Sequence, residues 1–343
     1  MRSLMTCAAL ATLLTGGVQL ETEYKAGVAR KLSIESTVRL ETTVSETERD
    51  GEKQPSRAGM KTETHREEVH VDQVLEAEDG KPTRVRRHFV ELGGTSAMEG
   101  GEMSRETELE SPWGGVTLEL TASKDGVDVE VVDGTEPDGE GVLEGHVLEM
   151  FLDGLVPGES VEEGQSWDLD STAILRALRI DVQRKLYPPP SRSEGEGGGR
   201  GGGRRGGRGG GGDPGLSESE WKGSAKLAGG EEKGGVECAV VELELETSGE
   251  RTFEGFGGGR GRLLAPPVEN KTSWSTRLKG KLWFDAKAKR PVALELEGAI
   301  KQETRMEFEG EGRSMKSYSV REGSMEFSVA IEDAPAEEIK SKK

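Results

Sequence analysis

The side chains best suited to acid–base, metal or nucleophilic chemistry are His65, His70, His88, His146 and Cys238. His65 and His70 stand five positions apart, so on one strand they face opposite sides. Neither His88 nor His146 has ligand-type spacing around it. The acidic turn Asp133-Gly134-Thr135-Glu136-Pro137-Asp138-Gly139-Glu140 comes nearest to a cation loop. It lacks the Asp-x-Asp-x-Asp-Gly order of a calcium site and reads as a solvated turn. There is no Gly-x-Ser-x-Gly elbow and no phosphate-cradling Gly-Lys-Ser/Thr. Triads and paired carboxylates assemble in space and leave no mark in sequence order. Cys238 lies in the apolar stretch Val236–Val241 between Glu237 and Glu242. A reactive thiolate wants positive neighbours, so Cys238 reads as a small buried hydrophobe. On this reading there are no catalytic, cofactor-binding or metal-binding residues to assign, and the chain is expected to be no enzyme.

Two further features invite chemistry. Residues 197–212 contain only glycine and arginine, 12 Gly and 4 Arg. Such a tract is similar to the Arg-Gly-Gly segments of RNA-binding proteins, where arginine contacts phosphate and stacks on bases. Here aromatic residues are missing from the tract and the rest of the chain is acidic, so nucleic acid is not an expected partner. The tract reads as a disordered insert, residues 191–216, whose charge is free to contact the acidic body or an anionic envelope surface. The second feature is Trp283, beside Lys279 and Lys281 on one strand face; it covers an edge, packs under a helix or lines a groove. Trp274 shares the other face with Leu278, Leu282 and Phe284 and belongs to the core.

The elements that position these residues are mainly strands. Leu32, Ile34, Val38, Leu40 and Val44 alternate with Ser33, Glu35, Thr37, Arg39 and Glu41. The same period returns over Val292–Phe308, with Glu295, Glu297, Lys301, Glu303 and Arg305 opposite. Shorter alternations fall at 69–77, 83–92, 104–109, 116–122, 127–132, 223–227, 237–247, 273–284, 317–320 and 325–331. Asp79-Gly80, Lys124-Asp125-Gly126 and Glu322-Gly323 read as hairpin turns. Asp170-Ser171 caps a predicted helix in which Ile174, Leu178, Val182 and Leu186 recur, closed by Tyr187-Pro188. Val142–Leu152 reads as a second helix. The expected fold is therefore mainly β: a long antiparallel curved sheet or half-barrel, as one sheet or two similar halves, with a short central helical segment.

Composition sets the limits. The chain of 343 residues carries 46 Lys and Arg against 65 Asp and Glu, a net charge of −19. Leu, Ile, Val and Phe together supply 69 residues, at the edge of what a folded acidic chain needs. Phase-locked alternation over thirteen positions places the body on the folded side of that edge. Arg2, the apolar run Leu4–Leu14 and small residues Thr15 and Gly17 have the layout of a secretory signal peptide, residues 1–17. Cys7 precedes most of the apolar run and is poorly placed for a lipid anchor. Loss of that segment leaves Cys238 as the only cysteine, so no intrachain disulfide is expected. Outer-membrane barrel strands would face lipid with apolar residues, whereas these set charge opposite their apolar face. The expected organisation is an N-terminal β region to 190, the insert 191–216, a C-terminal β region 217–333 completing the same domain, and a charged tail 334–343.

Three short motifs carry a resemblance. Tyr24-Lys25-Ala26-Gly27 leads into the first long strand. Val156-Pro157-Gly158 and Val161-Glu162-Glu163-Gly164-Gln165-Ser166-Trp167 mark the middle. Leu278-Lys279-Gly280-Lys281-Leu282-Trp283-Phe284-Asp285, then Pro291, opens the last long strands. This resembles a family of exported bacterial proteins of unknown function seen often in planctomycetes; the Gly/Arg insert departs from it. The resemblance implies export to the periplasm or the exterior and a β architecture, without an activity. The sequence-level expectation for function is an exported, non-enzymatic envelope protein holding a hydrophobic small molecule on an apolar sheet face. The alternative is a structural or interaction protein meeting an envelope component through its acidic surface and Gly/Arg tract.

Overall fold

The computed structural model describes residues 17–139, 141–188, 216–256, 267–310 and 313–335. The predicted signal peptide up to residue 16, Glu140, the Gly/Arg tract and most of the charged tail lie outside the described residues. Alternating residues build very long strands. The first half holds β1 (Val18–Gln19), β2 (Ala29–Arg49), β3 (Glu52–Lys53), β4 (Lys61–Glu78), β5 (Lys81–Gly100), β6 (Met103–Glu108), β7 (Thr117–Ser123) and β8 (Gly126–Asp133). A central segment carries β9 (Ser160–Val161), β10 (Ser166–Leu169) and the helices α1 (Ser171–Ala177) and α2 (Ile180–Leu186). The second half holds β11 (Trp221–Lys233), β12 (Val236–Phe256), β13 (Pro267–Asp285), β14 (Arg290–Gly310) and β15 (Arg313–Asp333).

All but β1 and β9 form one antiparallel sheet, in the order β10-β11-β12-β13-β14-β15-β2-β4-β5-β7-β8, with β3 and β6 as side pairs. The two halves are thus two meanders joined through β15 and β2, along a ladder from Met315↔Arg49 to Asp333↔Arg30. The sheet curls into a half-barrel and does not close. Its inner face buries Leu32, Ile34, Leu243, Leu278, Leu294 and Phe327 against residues of the central segment.

Three expectations are corrected. Glu322-Gly323 is no hairpin turn; β15 runs straight through it. A Cβ on Gly323 would lie 1.7 Å from the Arg39 carbonyl oxygen of β2, closer than any real contact. Gly298 and Gly280 stand in the same relation to β13 and β14. Each of the three is offset by two residues from the next in register, since Gly280 pairs with Leu296, Gly298 with Met325 and Ile300 with Gly323. This diagonal of missing side chains lets the long strands bend sharply, the device by which curved sheets are built. Second, the predicted helix from Ser171 is two helices, broken at Arg179 with φ 59° and ψ 22°. Asp170 does cap α1, accepting from the Ala173 N–H at 2.8 Å. Third, Val142–Leu152 is not helical: Gly145 at φ 84° interrupts it, and only Asp153–Leu155 makes a 3-10 turn.

Candidate functional site

The break at Arg179 is the key to the inner face. A left-handed residue with a side chain costs about 1–2 kcal/mol. It turns the guanidinium into the core, where a nitrogen lies 2.7 Å from Glu68 Oε1 and the group sits 5.0 Å from the Phe151 ring centroid. Glu68, His70 and Asp72 alternate along the inner face of β4, and Arg87 reaches Asp72 from β5 with two bonds of 2.7 Å. His70 Nδ1 approaches Glu68 at 2.9 Å but off the ring's donor direction, so that contact is electrostatic. His146 completes the belt, 3.5 Å from Arg87, with its ring edge-on to Trp113. All of these side chains are buried, Asp72 least so. Two carboxylates thus face two guanidiniums, each contact at 2.7 Å.

Burial alone would raise the Glu68 carboxyl, but Arg179, His70 and Arg87 outweigh it and hold it at about 2. Asp72 is lowered on the same balance, burial against Arg87 and His70. Burial, then the two arginines, push His146 down to about 2, so it stays neutral. Nearby Asp153 goes the other way: burial lifts it to about 6, against bonds from Tyr24 and Thr22. Carboxylates already paired with guanidiniums are poor ligands for a cation. Among the described residues no group of three His, Cys, Asp or Glu could hold a metal ion. The belt is a structural partition. On one side lies the larger apolar cluster with Ile174 and Ala177 of α1 and its C-cap Leu178. On the other lies a smaller one with Val182 and Leu186 of α2, Phe89 and Trp113.

The partition also divides how the helices are held. α2 is fastened by polar contacts: Arg66 to Gln183 at 3.0 Å, Trp113 Nε1 to the Lys185 carbonyl at 2.9 Å, and Ser111 to the Leu186 carbonyl at 2.5 Å. α1 rests on apolar side chains, with one bond from the Trp221 N–H to Ser171 Oγ at 3.0 Å. Between sheet and central segment the space lined by Tyr24, Leu32, Val85 and Met150 amounts to about 20 Å³, room for one water. The larger apolar cluster of the inner face packs against Ile174, Ala177 and Leu178 and against Met150 to Leu155.

The outer face is different. Across five strands the register aligns Glu242, Lys281, Glu295, Ser328 and Glu35 in one row, and Glu244, Lys279, Glu297, Glu326 and Thr37 in the next. These rows line a groove of about 730 Å³ whose floor includes Trp283. Trp283 thus lines a groove, within a small buried cluster with Cys238, Val240 and Ala293.

The sequence candidates do not converge. His65 is on the outer face, bonded to Thr37 at 3.0 Å and to Glu67 at 2.8 Å. His88 pairs with Thr117 at 2.9 Å. Only His70 and His146 share the interior, on either side of Phe89. In the acidic turn Asp133 accepts from the Gly134 N–H, an ordinary turn contact. The residues missed are Glu68, Asp72, Arg87 and Arg179. Their signal was charge at positions the alternation reserves for core, as in Val85-x-Arg87-x-Phe89. The motif residues prove to be pins. Tyr24 donates to Asp153 and accepts from the Met150 N–H, and Trp167 Nε1 donates to the Leu155 carbonyl. Asp285 caps the turn into β14 by accepting from the Lys287 and Ala288 N–H groups.

No family model and no curated protein matches the chain. Among solved structures, a Pseudomonas aeruginosa FadL homologue aligns at 5% identity over 93% of this chain and 96% of its own, with a TM-score of 0.21. Pseudomonas aeruginosa OpdQ aligns at 7% identity over 90% and 98%, with a TM-score of 0.18. Likenesses this slight carry no argument about fold or function. No helix among the described residues is long and apolar enough to cross a membrane.

Proposed function

We propose that the protein is an exported, non-enzymatic binding module of the cell envelope whose apolar ligand takes the place of α1 on the inner sheet face. The observation that supports this is the unequal fastening of the two helices about Arg179. α2 is tied by side-chain and carbonyl bonds, while α1 covers the sheet with Ala173, Ile174, Ala177 and its C-cap Leu178. Exposing those four costs about 5–8 kcal/mol at the usual value for buried side chains. A saturated chain gains about 0.8 kcal/mol per buried CH₂, so roughly ten carbons offset the loss. Long acyl chains therefore meet the condition and small apolar molecules do not.

The test is a chain-length series of fluorescent fatty acids, together with native mass spectrometry and organic extraction of the purified protein. Binding that sets in near ten carbons, strengthened by Leu178→Ala, is the expected result. Failure of all lengths to bind, with no extracted lipid, would sink this reading.

A further inference from the structure

The outer groove holds more negative charge than its own strands neutralise. Glu35, Glu242, Glu244, Glu295, Glu297 and Glu326 line it, against Lys279 and Lys281. Lys279 is engaged by Glu244 at 2.5 Å, and Lys281 by Glu231 at 3.0 Å. Among the described residues Glu35, Glu242 and Glu297 have no ion-pair partner. Glu297 stands directly opposite Glu326, and Glu35 directly opposite Glu67, pairings that destabilise a sheet left to itself. A second observation is of another kind. Trp283, 4% exposed, lines the same groove, and its indole N–H has no hydrogen-bond acceptor. The groove thus asks for cations and for a carbonyl oxygen, which an extended arginine-bearing peptide supplies together.

We propose that this groove docks the chain's own Gly/Arg tract, residues 197–212. Four arginines in twelve glycines match the surplus carboxylates, and glycine leaves the backbone carbonyls open to approach. Reach is sufficient. The tract returns to the described chain at Leu216, whose carbonyl is held by Trp221 Nε1 at the head of β11. β11 adjoins β12, where the groove begins, and β2 lies four strands further on, about 19 Å at ordinary spacing. The stretch from residue 189 to 215 has a contour of about 90 Å. Lys233 now stacks on Trp283 at 4.0 Å and bonds Glu295 at 2.5 Å. An incoming guanidinium is the better partner for both ring and carboxylate, and taking them frees the indole edge. This inference rests on the outer face and is independent of the apolar-ligand reading.

The experiment compares the full chain with one lacking residues 197–212, following the Trp283 indole resonance, assigned through Trp283→Phe. Deletion should shift that resonance, and a synthetic peptide of residues 197–212 should restore it. A Glu35→Gln/Glu242→Gln/Glu297→Gln variant with unchanged circular dichroism should bind the peptide roughly tenfold more weakly, as should 0.5 M salt. An unmoved resonance on deletion, or equal peptide affinity for the triple variant, overturns the proposal. Sedimentation that grows with concentration only in the full chain would place the tract on a second copy and reject the intramolecular form.

Discussion

On the inner face, Glu68 and Asp72 each touch a guanidinium at 2.7 Å, two carboxylates against two arginines withdrawn from solvent. On the outer face of the same sheet, Glu297 faces Glu326 and Glu35 faces Glu67, and the surplus stays in water. Both arrangements come from one period-two pattern, so strand alternation does not decide what charge does. Solvent decides it. An interior carboxylate must meet its counter-ion or be neutralised. An exterior one is screened, and its excess remains available to a partner. The inner belt therefore sets how the helices are positioned, and the outer groove sets what the surface attracts.

The contrast breaks most visibly at Arg179. Arg179→Ala leaves Glu68 charged and buried, and should cost about 3–5 kcal/mol in urea unfolding. The double change Glu68→Leu/Arg179→Met removes both charges and should recover most of that loss. If the double variant is as unstable as the single, the belt contributes through shape rather than through charge closure. Gly323→Ala comes next, at about 3 kcal/mol, because its methyl group meets the Arg39 carbonyl in any rotamer. A midpoint near wild type would show that the strands bend without help from the glycine diagonal.

The two faces were unequally legible. Period two gave each strand its faces, because a half-buried sheet repeats a one-bit choice at every residue. Leu32 to Leu40 and Leu294 to Ile300 could be placed inside on that ground alone, whereas Val292, read on the same face, packs with Trp283 at a break in register. The bend at Gly323 was misread as a turn, since glycine marks both and only the neighbouring strand distinguishes them. The Arg179 break was hidden for a related reason. Ile174, Leu178, Val182 and Leu186 keep helical spacing through it, yet serve two different clusters. The belt itself joins β4, β5, α2 and the turn before Phe151, contacts separated by up to 111 residues. No local pattern records such a meeting. The outer rows depend likewise on register between halves of the chain.

A smaller effect separates groups inside the core by pH. His146 is neutral in the fold down to about 2 but protonated in the unfolded chain below 6.5, so it costs stability as pH falls through that window. Asp153, raised from 3.8 to about 6, is protonated in the fold where the unfolded chain is ionised, so it adds stability as pH falls from 6 toward 3.8. The two oppose each other, and stability should be nearly flat from pH 6 to 4.5. Below 4.5 Glu68, lowered to about 2, loses its contribution as pH falls, and with His146 it makes the decline steep. Asp153→Asn should unmask His146, giving a slope of about 1.4 kcal/mol per pH unit between 4.5 and 6. A flat profile in that variant would mean that His146 titrates in the fold as it does in the unfolded chain.

The least effect is expected outside, where the comparison is sharpest. Lys279 and Glu244 are 61% and 65% exposed although only 2.5 Å apart. Such a pair gains little in water and orders two long side chains to form. Lys279→Gln should leave the urea midpoint unchanged, and added salt should not alter that. Glu297→Gln should raise the midpoint slightly, because it removes the like charge opposite Glu326. If instead it lowers the midpoint of the full chain but not of the chain lacking residues 197–212, the carboxylate is held by the tract. That result would turn a surplus on the outer face into a neutralised set like the one within.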